Sequence, residues 1–341
     1  MSLYNMKKIN VAINGFGRIG RAALKVIWMR FPNLNVVAIN DLTDPATLAH
    51  LLQYDSCYGT TKQKISATKD SLVMNGHKIP VLAIKDPAQL PWKALKVDIV
   101  LECTGRFTTK EDLKLHLKAG AKKVVLSAPV KKGGLKTIVP GVNLDKVNKN
   151  DHILSAASCT TNCLAPVTKV IKDNFGIKKA LMTTVHSYTA DQNLVDGPHK
   201  DLRRARAAAI NIIPTTTGAA IATTETIPSL KNKFDGLAVR VPTPVGSLCD
   251  TVYLLNKKTT VEVVNRTFVK AARGKMKGII EASNEELVST DIIGNSHSAI
   301  VDLKTTKLVG GDLLKVISWY DNEWGYTNRF VEVADYLKKF I

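Results

Sequence analysis

Asn10-Val11-Ala12-Ile13-Asn14-Gly15-Phe16-Gly17-Arg18-Ile19-Gly20 carries the strongest structural signal in the chain. The apolar run at residues 10–13 reads as a buried strand, and residues 19–30 read as an amphipathic helix. Between them stands G-x-G-x-x-G, whose glycines permit a tight turn and close approach of backbone to an anion. The helix N-terminus adds unpaired amides and the positive end of a dipole. A second strand at 35–39 is followed by Asp41, near the spacing at which an acidic side chain meets an adenosine ribose. A glycine motif alone often arises by chance. Strand, turn, helix and acid in this order predict a dinucleotide site. A carboxylate there repels a 2′-phosphate, so the expected cofactor is NAD. The plainer alternative for Asp41 is a turn aspartate opening Asp41-Leu42-Thr43-Asp44-Pro45.

Further strands at 98–101 and 123–126 continue an alternation of strand and helix, the pattern of a parallel sheet with crossover helices. Beyond residue 159 the strands expected at 180–186, 236–241, 248–255, 299–302 and 313–319 have few helices between several of them, which suits a mainly antiparallel sheet. Tyr326, Phe330, Val333 and Leu337 recur at helical spacing in the tail, predicting a helix over 324–340. The expected fold is α/β: a Rossmann-type parallel-sheet domain plus an α+β catalytic domain with a mainly antiparallel sheet. The first would span 1–158 and be completed by a C-terminal helix at 323–341; the second would span 159–322. A length of 341 residues suits two domains. The connection at 191–211, with Gly197-Pro198 and Arg203-Arg204-Ala205-Arg206, is long for a compact enzyme, and such loops are more often functional than idle.

Hydrophobic residues make up 45% and charged residues 23%, an ordinary globular composition. No apolar run has membrane-spanning length, and residues 1–20 lack the continuous apolar core of a secretory signal, so a cytoplasmic protein with no membrane partner is expected. Five cysteines are few and odd in number for a disulfide framework, which points to a reducing compartment. The net charge of +19 favours anionic partners. Basic pairs such as Lys122-Lys123 and Lys257-Lys258 are scattered along the chain, reading as solvated faces; nucleic acid is not expected as the primary partner.

A second informative stretch is Ala157-Ser158-Cys159-Thr160-Thr161-Asn162-Cys163, followed by His186 in Thr183-Thr184-Val185-His186-Ser187. Ser158 reads as the N-cap of a helix over 160–173, which puts Cys159 at the positive end of a helix dipole. A thiol so placed, or beside a histidine, titrates at roughly 3.5 to 7.5 rather than about 8.5, so a thiolate at neutral pH is expected. The alternative for Cys159 is a small buried hydrophobe. Cys163 lies one helical turn on, yet no further zinc-ligand spacing accompanies it and no metal site is expected. Pro166 should kink the helix. The other histidines, His116 among them, lack motif context and read as surface or satisfied core side chains.

A dinucleotide fold joined to a cysteine and a histidine suggests aldehyde oxidation, and here the chain resembles the phosphorylating glyceraldehyde-3-phosphate dehydrogenases of glycolysis. The resemblance rests on Ile13 through Arg21, Ala157 through Asn162, His186 with Thr189 and Asp191, Asp201 through Ala208, Thr217 through Ala220, Arg240 through Thr243, and Trp319 through Gly325. It implies that Cys159 is the nucleophile and His186 the acid and base. It implies that Thr189, Asp191 and Arg240 hold the C3 phosphate of D-glyceraldehyde 3-phosphate, and that Ser158, Thr160, Arg204, Thr217 and Gly218 hold inorganic phosphate. For NAD it points to Asn14, Gly15, Gly17, Arg18, Ile19, Asp41, Ser127, Asn322 and Tyr326, with Lys85 where the family carries arginine. Lysine keeps the charge but loses the bidentate fork. Pro198 matches the NAD-type pattern, whereas Gly197 stands where some members carry leucine. A homotetramer with the 191–211 loop at a subunit interface is also implied. The rivals are an erythrose-4-phosphate dehydrogenase, which depends little on phosphate, and a basic protein that binds RNA or surfaces.

Overall fold

The computed structural model describes residues 8–132 and 134–341, and residues 1–7 of the expected first domain lie outside it. The chain divides into two compact units. One contains residues up to Ile138, Asp145–Ala157 and Thr327–Ile341; the other contains Val139–Leu144 and Ser158–Tyr326. This division differs from the boundaries expected from sequence: residues 139–144, residue 158 and residues 323–326 group with the second unit.

In the first unit a nine-stranded sheet runs in the order Lys136–Thr137, Ile153–Ser155, Lys123–Leu126, Ile99–Glu102, Ile9–Asn14, Leu34–Asn40, His77–Leu82, Ser71–Met74 and Ile65–Ala67. The first seven are parallel, and the last two join by antiparallel pairing. Val11, Ala12, Ile13, Ile99, Val100 and Leu101 are wholly buried, as apolar runs covered on both faces must be. The opening strand lies between its two neighbours Leu34–Asn40 and Ile99–Glu102, so strand order reverses there. Ligands of open α/β sheets bind beyond the carboxyl ends of the strands at such a reversal. The antiparallel hairpins at 65–82 and the helix Lys110–Lys118 were not anticipated from sequence.

The second unit holds a mixed sheet ordered Ile213–Thr215, Phe234–Val241, Ile177–Ser187, Ser247–Leu255, Leu313–Tyr320, Ala299–Asp302 and Ile280–Ser283, with Lys307–Val309 paired beside Leu313–Tyr320. Most pairs are antiparallel; Ile177–Ser187 with Phe234–Val241, and Ile280–Ser283 with Ala299–Asp302, are parallel. The helix Cys159–Phe175 packs on this sheet through Cys163, Leu164, Val167, Val170 and Ile171, and the helix Val261–Arg273 contributes Val264 and Phe268 to the same core. Each such side chain contributes about 1.5–3 kcal/mol by leaving water. The long helix continues through Pro166 rather than ending there.

Candidate active site

Backbone register assembles the catalytic cluster. In the parallel pair of strands, His186 and Arg240 are register partners, so both side chains leave the same face of the sheet. The helix beginning at Cys159 packs on that face. Its N-terminus is fixed by Ser158, whose Oγ accepts from the Thr161 N–H at 3.1 Å, the N-cap expected from the sequence. Immediately before it Ala157 adopts φ 59°, in the left-handed region that a residue with Cβ enters at a cost of about 1–2 kcal/mol. The turn sits in the chain segment that presents the thiol.

Cys159 Sγ lies 3.4 Å from His186 Nε2. The other ring nitrogen, Nδ1, is 2.7 Å from the Ser187 carbonyl, which only accepts; Nδ1 therefore carries the hydrogen and Nε2 presents its lone pair to the thiol. Arg240 Nη1 donates to the same carbonyl at 3.0 Å and stands 3.0 Å from Nδ1. Burial, then the Arg240 charge, pushes His186 down to about 3. Burial also raises the Cys159 thiol, outweighing the lowering by Arg240 and by hydrogen bonding from Thr160. Burial therefore works against the thiolate expected from the helix N-terminus and the neighbouring histidine. Charging either group by itself strands a charge in a desolvated site, whereas passing one proton across the 3.4 Å contact creates two opposite charges together.

The residues around this pair are placed as follows. Arg240 Nη1 reaches Thr189 Oγ1 at 3.4 Å, and Arg240 Nε is buried with no hydrogen-bond partner among the described residues. Arg204 acts electrostatically on both His186 and Arg240, so two guanidinium charges bear on the imidazole. Arg204 donates through Nε to Thr215 Oγ1 and through Nη2 to the Thr216 carbonyl, both at 3.0 Å, and pairs with Asp191. Asp191 therefore faces the Arg204 guanidinium. Thr160 Oγ1 bonds the Tyr320 hydroxyl at 2.9 Å, and Thr217 Oγ1 accepts the Ala219 N–H at 3.2 Å. Gly218 precedes the helix Ala219–Thr226 with no side-chain cap.

Sequence reading missed Tyr320. Its hydroxyl bridges Thr160 at 2.9 Å and Thr184 at 2.8 Å, and its ring meets His186 edge-on at 6.0 Å. The strand alternation that buries it is visible in the sequence, but its two threonine partners are distant in the chain.

In the first unit Asn14, Gly15, Gly17, Asp41 and Lys85 line one cavity of about 300 Å³. Gly15 has φ 88°, and a Cβ there would fall 2.7 Å from the Thr104 nitrogen; a Cβ on Gly20 would fall 2.1 Å from the Gly15 oxygen. Only glycine fits at either place. Among the described residues nothing lies within 4 Å of a Cβ built on Gly17, which leads the helix Arg18–Arg30 with no side-chain cap, so the positive end of that helix faces open space. Asp41 accepts the Phe16 N–H at 2.7 Å and the Thr43 N–H at 3.0 Å, so it both braces the glycine turn and starts its own. Ile19 is in the first helical turn, while the Arg18 guanidinium turns to Asp55 at 2.8 Å and to the Tyr58 ring. Ser127 follows the strand Lys123–Leu126, its N–H donating to the Glu102 carbonyl at 3.0 Å. Asn322 and Tyr326 belong to the second unit, where Asn322 Oδ1 accepts from the Gly246 N–H and the Ser247 hydroxyl. Among the described residues no group of His, Cys, Asp and Glu could hold a metal, and no helix is long and apolar enough to cross a membrane.

Comparison with known proteins accounts for both halves of this arrangement. Residues 9–110 match the family model for the glyceraldehyde 3-phosphate dehydrogenase NAD binding domain, and residues 158–322 match that for its C-terminal domain. The chain is 53% identical over 330 residues to the glyceraldehyde-3-phosphate dehydrogenase of Geobacillus stearothermophilus, covering 96% of this chain and 98% of that one. It is 53% identical over 332 residues to glyceraldehyde-3-phosphate dehydrogenase 1 of Bacillus subtilis (97% and 98% covered), and 52% identical over 328 residues to the Streptomyces coelicolor enzyme (96% and 97%). With a glycine-turn cavity in one unit, a thiol–imidazole pair in the other, and matches spanning both, the chain belongs to the glyceraldehyde-3-phosphate dehydrogenase family.

Proposed function

We propose that this enzyme oxidises D-glyceraldehyde 3-phosphate with NAD and captures the acyl group on inorganic phosphate, giving 1,3-bisphosphoglycerate in glycolysis. The observation that carries the reading is the 3.4 Å contact between Cys159 Sγ and His186 Nε2, with Arg204 and Arg240 acting on the same imidazole. Sulfur adds to the aldehyde carbon while Nε2 takes the thiol proton, forming a hemithioacetal. Its oxyanion is stabilised by the Cys159 backbone N–H at the helix start and by the newly protonated Nε2. NAD, when bound, supplies the hydride acceptor. Loss of hydride from the same carbon restores the C=O bond as a thioester, and His186 Nε2 passes its proton to water, the net proton of the oxidation. A phosphate oxygen then attacks the thioester carbon, the C–S bond breaks, and the proton given up by hydrogen phosphate passes through His186 to the departing sulfur, restoring the thiol. Arg240 with Thr189 suits the C3 phosphate. Arg204, held by Asp191, suits the attacking phosphate, with Ser158, Thr160, Thr217 and Gly218 around the helix starts.

For the cofactor, Gly15, Gly17 and the first amides of the helix at Arg18 and Ile19 would hold the pyrophosphate, and Asp41 the adenosine ribose. Lys85 would contribute charge at the adenosine end, with Ser127, Asn322 and Tyr326 completing the set implied by the family. Measuring NADH formation with and without inorganic phosphate, on glyceraldehyde 3-phosphate and on erythrose 4-phosphate, tests the reading. Phosphate-independent turnover that prefers erythrose 4-phosphate refutes it.

The same proposal includes a cytoplasmic homotetramer. Five large apolar side chains on the segment at 194–212 are exposed, including Leu194 (75%), Leu202 (80%) and Ile210 (80%). A monomer rarely presents such a group to water. All five cysteines are free thiols, in keeping with a reducing compartment. Sedimentation at micromolar concentration should give a mass four times that of the chain; a monomer overturns the assembly.

A further inference from the structure

A chain of buried hydrogen bonds runs behind the glycine turn, and no role assigned so far uses it. Trp92 Nε1 donates to His116 Nδ1 at 3.0 Å, and His116 Nε2 faces Glu102 Oε2 at 3.0 Å. Indole nitrogen only donates, so Nδ1 is the acceptor and the ring hydrogen on Nε2 points to the carboxylate. Glu102 Oε2 also accepts Asn14 Nδ2 at 2.6 Å, while Oε1 accepts the N–H and the hydroxyl of Thr104 at 2.8 and 2.5 Å. Four donors thus fill the four acceptor sites of one carboxylate. Asn14 Oδ1 accepts from Asn40 Nδ2 at 2.7 Å, and the Asn40 amide grips Ile84 through both its N–H and its carbonyl at 3.0 Å. Trp92, His116 and Glu102 have no solvent exposure.

The location argues for more than stability. Asn14, Asn40 and Glu102 each end one of three adjacent strands, at the reversal of strand order. Asn14, Asn40, Ile84 and Thr104 are all members of this network and all line the 300 Å³ cavity. Gly15 touches Thr104 so closely that no Cβ fits between them, so a shift of Thr104 moves the glycine turn. We propose that Glu102, oriented by His116 and Trp92, is a positioning residue for the dinucleotide, setting the relative placement of the three strand-end loops that receive its adenosine half. The inference rests on reading that cavity as the NAD site.

Because hydrogen-bond polarity decides the matter, Glu102→Gln is the test: its amide sets a donor against a donor, either at Thr104 or at Asn14 and His116. NAD and ADP-ribose binding are measured by calorimetry, alongside turnover at saturating NAD. Glu102→Gln should weaken both ligands by about 10- to 100-fold and to the same degree, corresponding to about 1.4–2.7 kcal/mol. Its kcat should fall no more than threefold. Trp92→Phe keeps every bond to the carboxylate and removes only the donor to His116, so the same loss should be about three- to fivefold. If Glu102→Gln does not fold, Trp92→Phe decides alone. Unchanged dissociation constants in a folded variant, even with a lower melting temperature, overturn the inference. Failure of the wild-type protein to bind NAD or ADP-ribose overturns the cavity assignment instead.

Discussion

Two buried histidines set the two halves of this molecule apart. His116 has both ring nitrogens committed, one to the Trp92 indole and one to Glu102. His186 commits only Nδ1, to a backbone carbonyl, and turns Nε2 to a thiol. Burial is nearly equal, at 0% and 4% exposed. What distinguishes a structural histidine from one that can move a proton is therefore the chemistry of its second partner. A carboxylate accepts the ring hydrogen and holds the tautomer; a thiol offers a proton that the ring can take.

The contrast can be broken at five points. Cys159→Ser leaves His186 with a partner of much higher pKa, and NADH formation should fall on the order of 10⁴-fold or more while NAD binding is retained. His186→Asn should lower turnover by about 10²- to 10⁴-fold. It should also move the pH profile of Cys159 alkylation by iodoacetamide upward; an unmoved profile means the ring does not serve the thiol.

The third concerns acid. The native His186 sits near 3 and the unfolded side chain near about 6.5, so between these values the unfolded chain binds a proton that the folded chain refuses. The folded state is therefore penalised as pH falls through this window and is not penalised above it. Denaturant titrations should show His186→Asn losing less stability than wild type from pH 6.5 to 4, by at most a few kcal/mol. Equal losses remove the argument. His116→Leu, by contrast, deprives both Trp92 and Glu102 of a partner and should cost about 1–3 kcal/mol, with the alkylation profile of Cys159 unchanged. A shifted profile there would blur the distinction between the two rings. Smallest is Tyr320→Phe, which takes a partner from Thr160 and Thr184 and should lower stability by about 1–2 kcal/mol at constant denaturant slope. An unchanged midpoint would show that the hydroxyl bridge carries no net energy.

Much of this was legible in the sequence because it depends on neighbours in the chain. The glycine turn, the strand before it and the helix after it are local, and the strands found at Ile9–Asn14 and Leu34–Asn40 extend those expected at 10–13 and 35–39 by one residue at each end. The Ser158 cap is equally local. The resemblance supplied Arg204, Arg240 and Thr189, which no periodicity singles out. What could not be read is set by tertiary contact. Burial of the Cys159–His186 pair, which pushes the thiol up and the imidazole down, exists only once the chain has folded. Glu102 looks like the polar end of a strand until Asn14, Thr104 and His116 converge on it. Asp191 was placed with the phosphate donors, and only the folded loop shows it gripping Arg204.

Pairing His186 with Arg240 across two parallel strands has a consequence for how this chain tolerates change. Facing alternates with every residue along a strand, so loss of one residue within 178–183 would bring Val185 or Ser187 to the helix side in place of the imidazole. A change of chain length on the approach to His186 is therefore far costlier to the site than a substitution there.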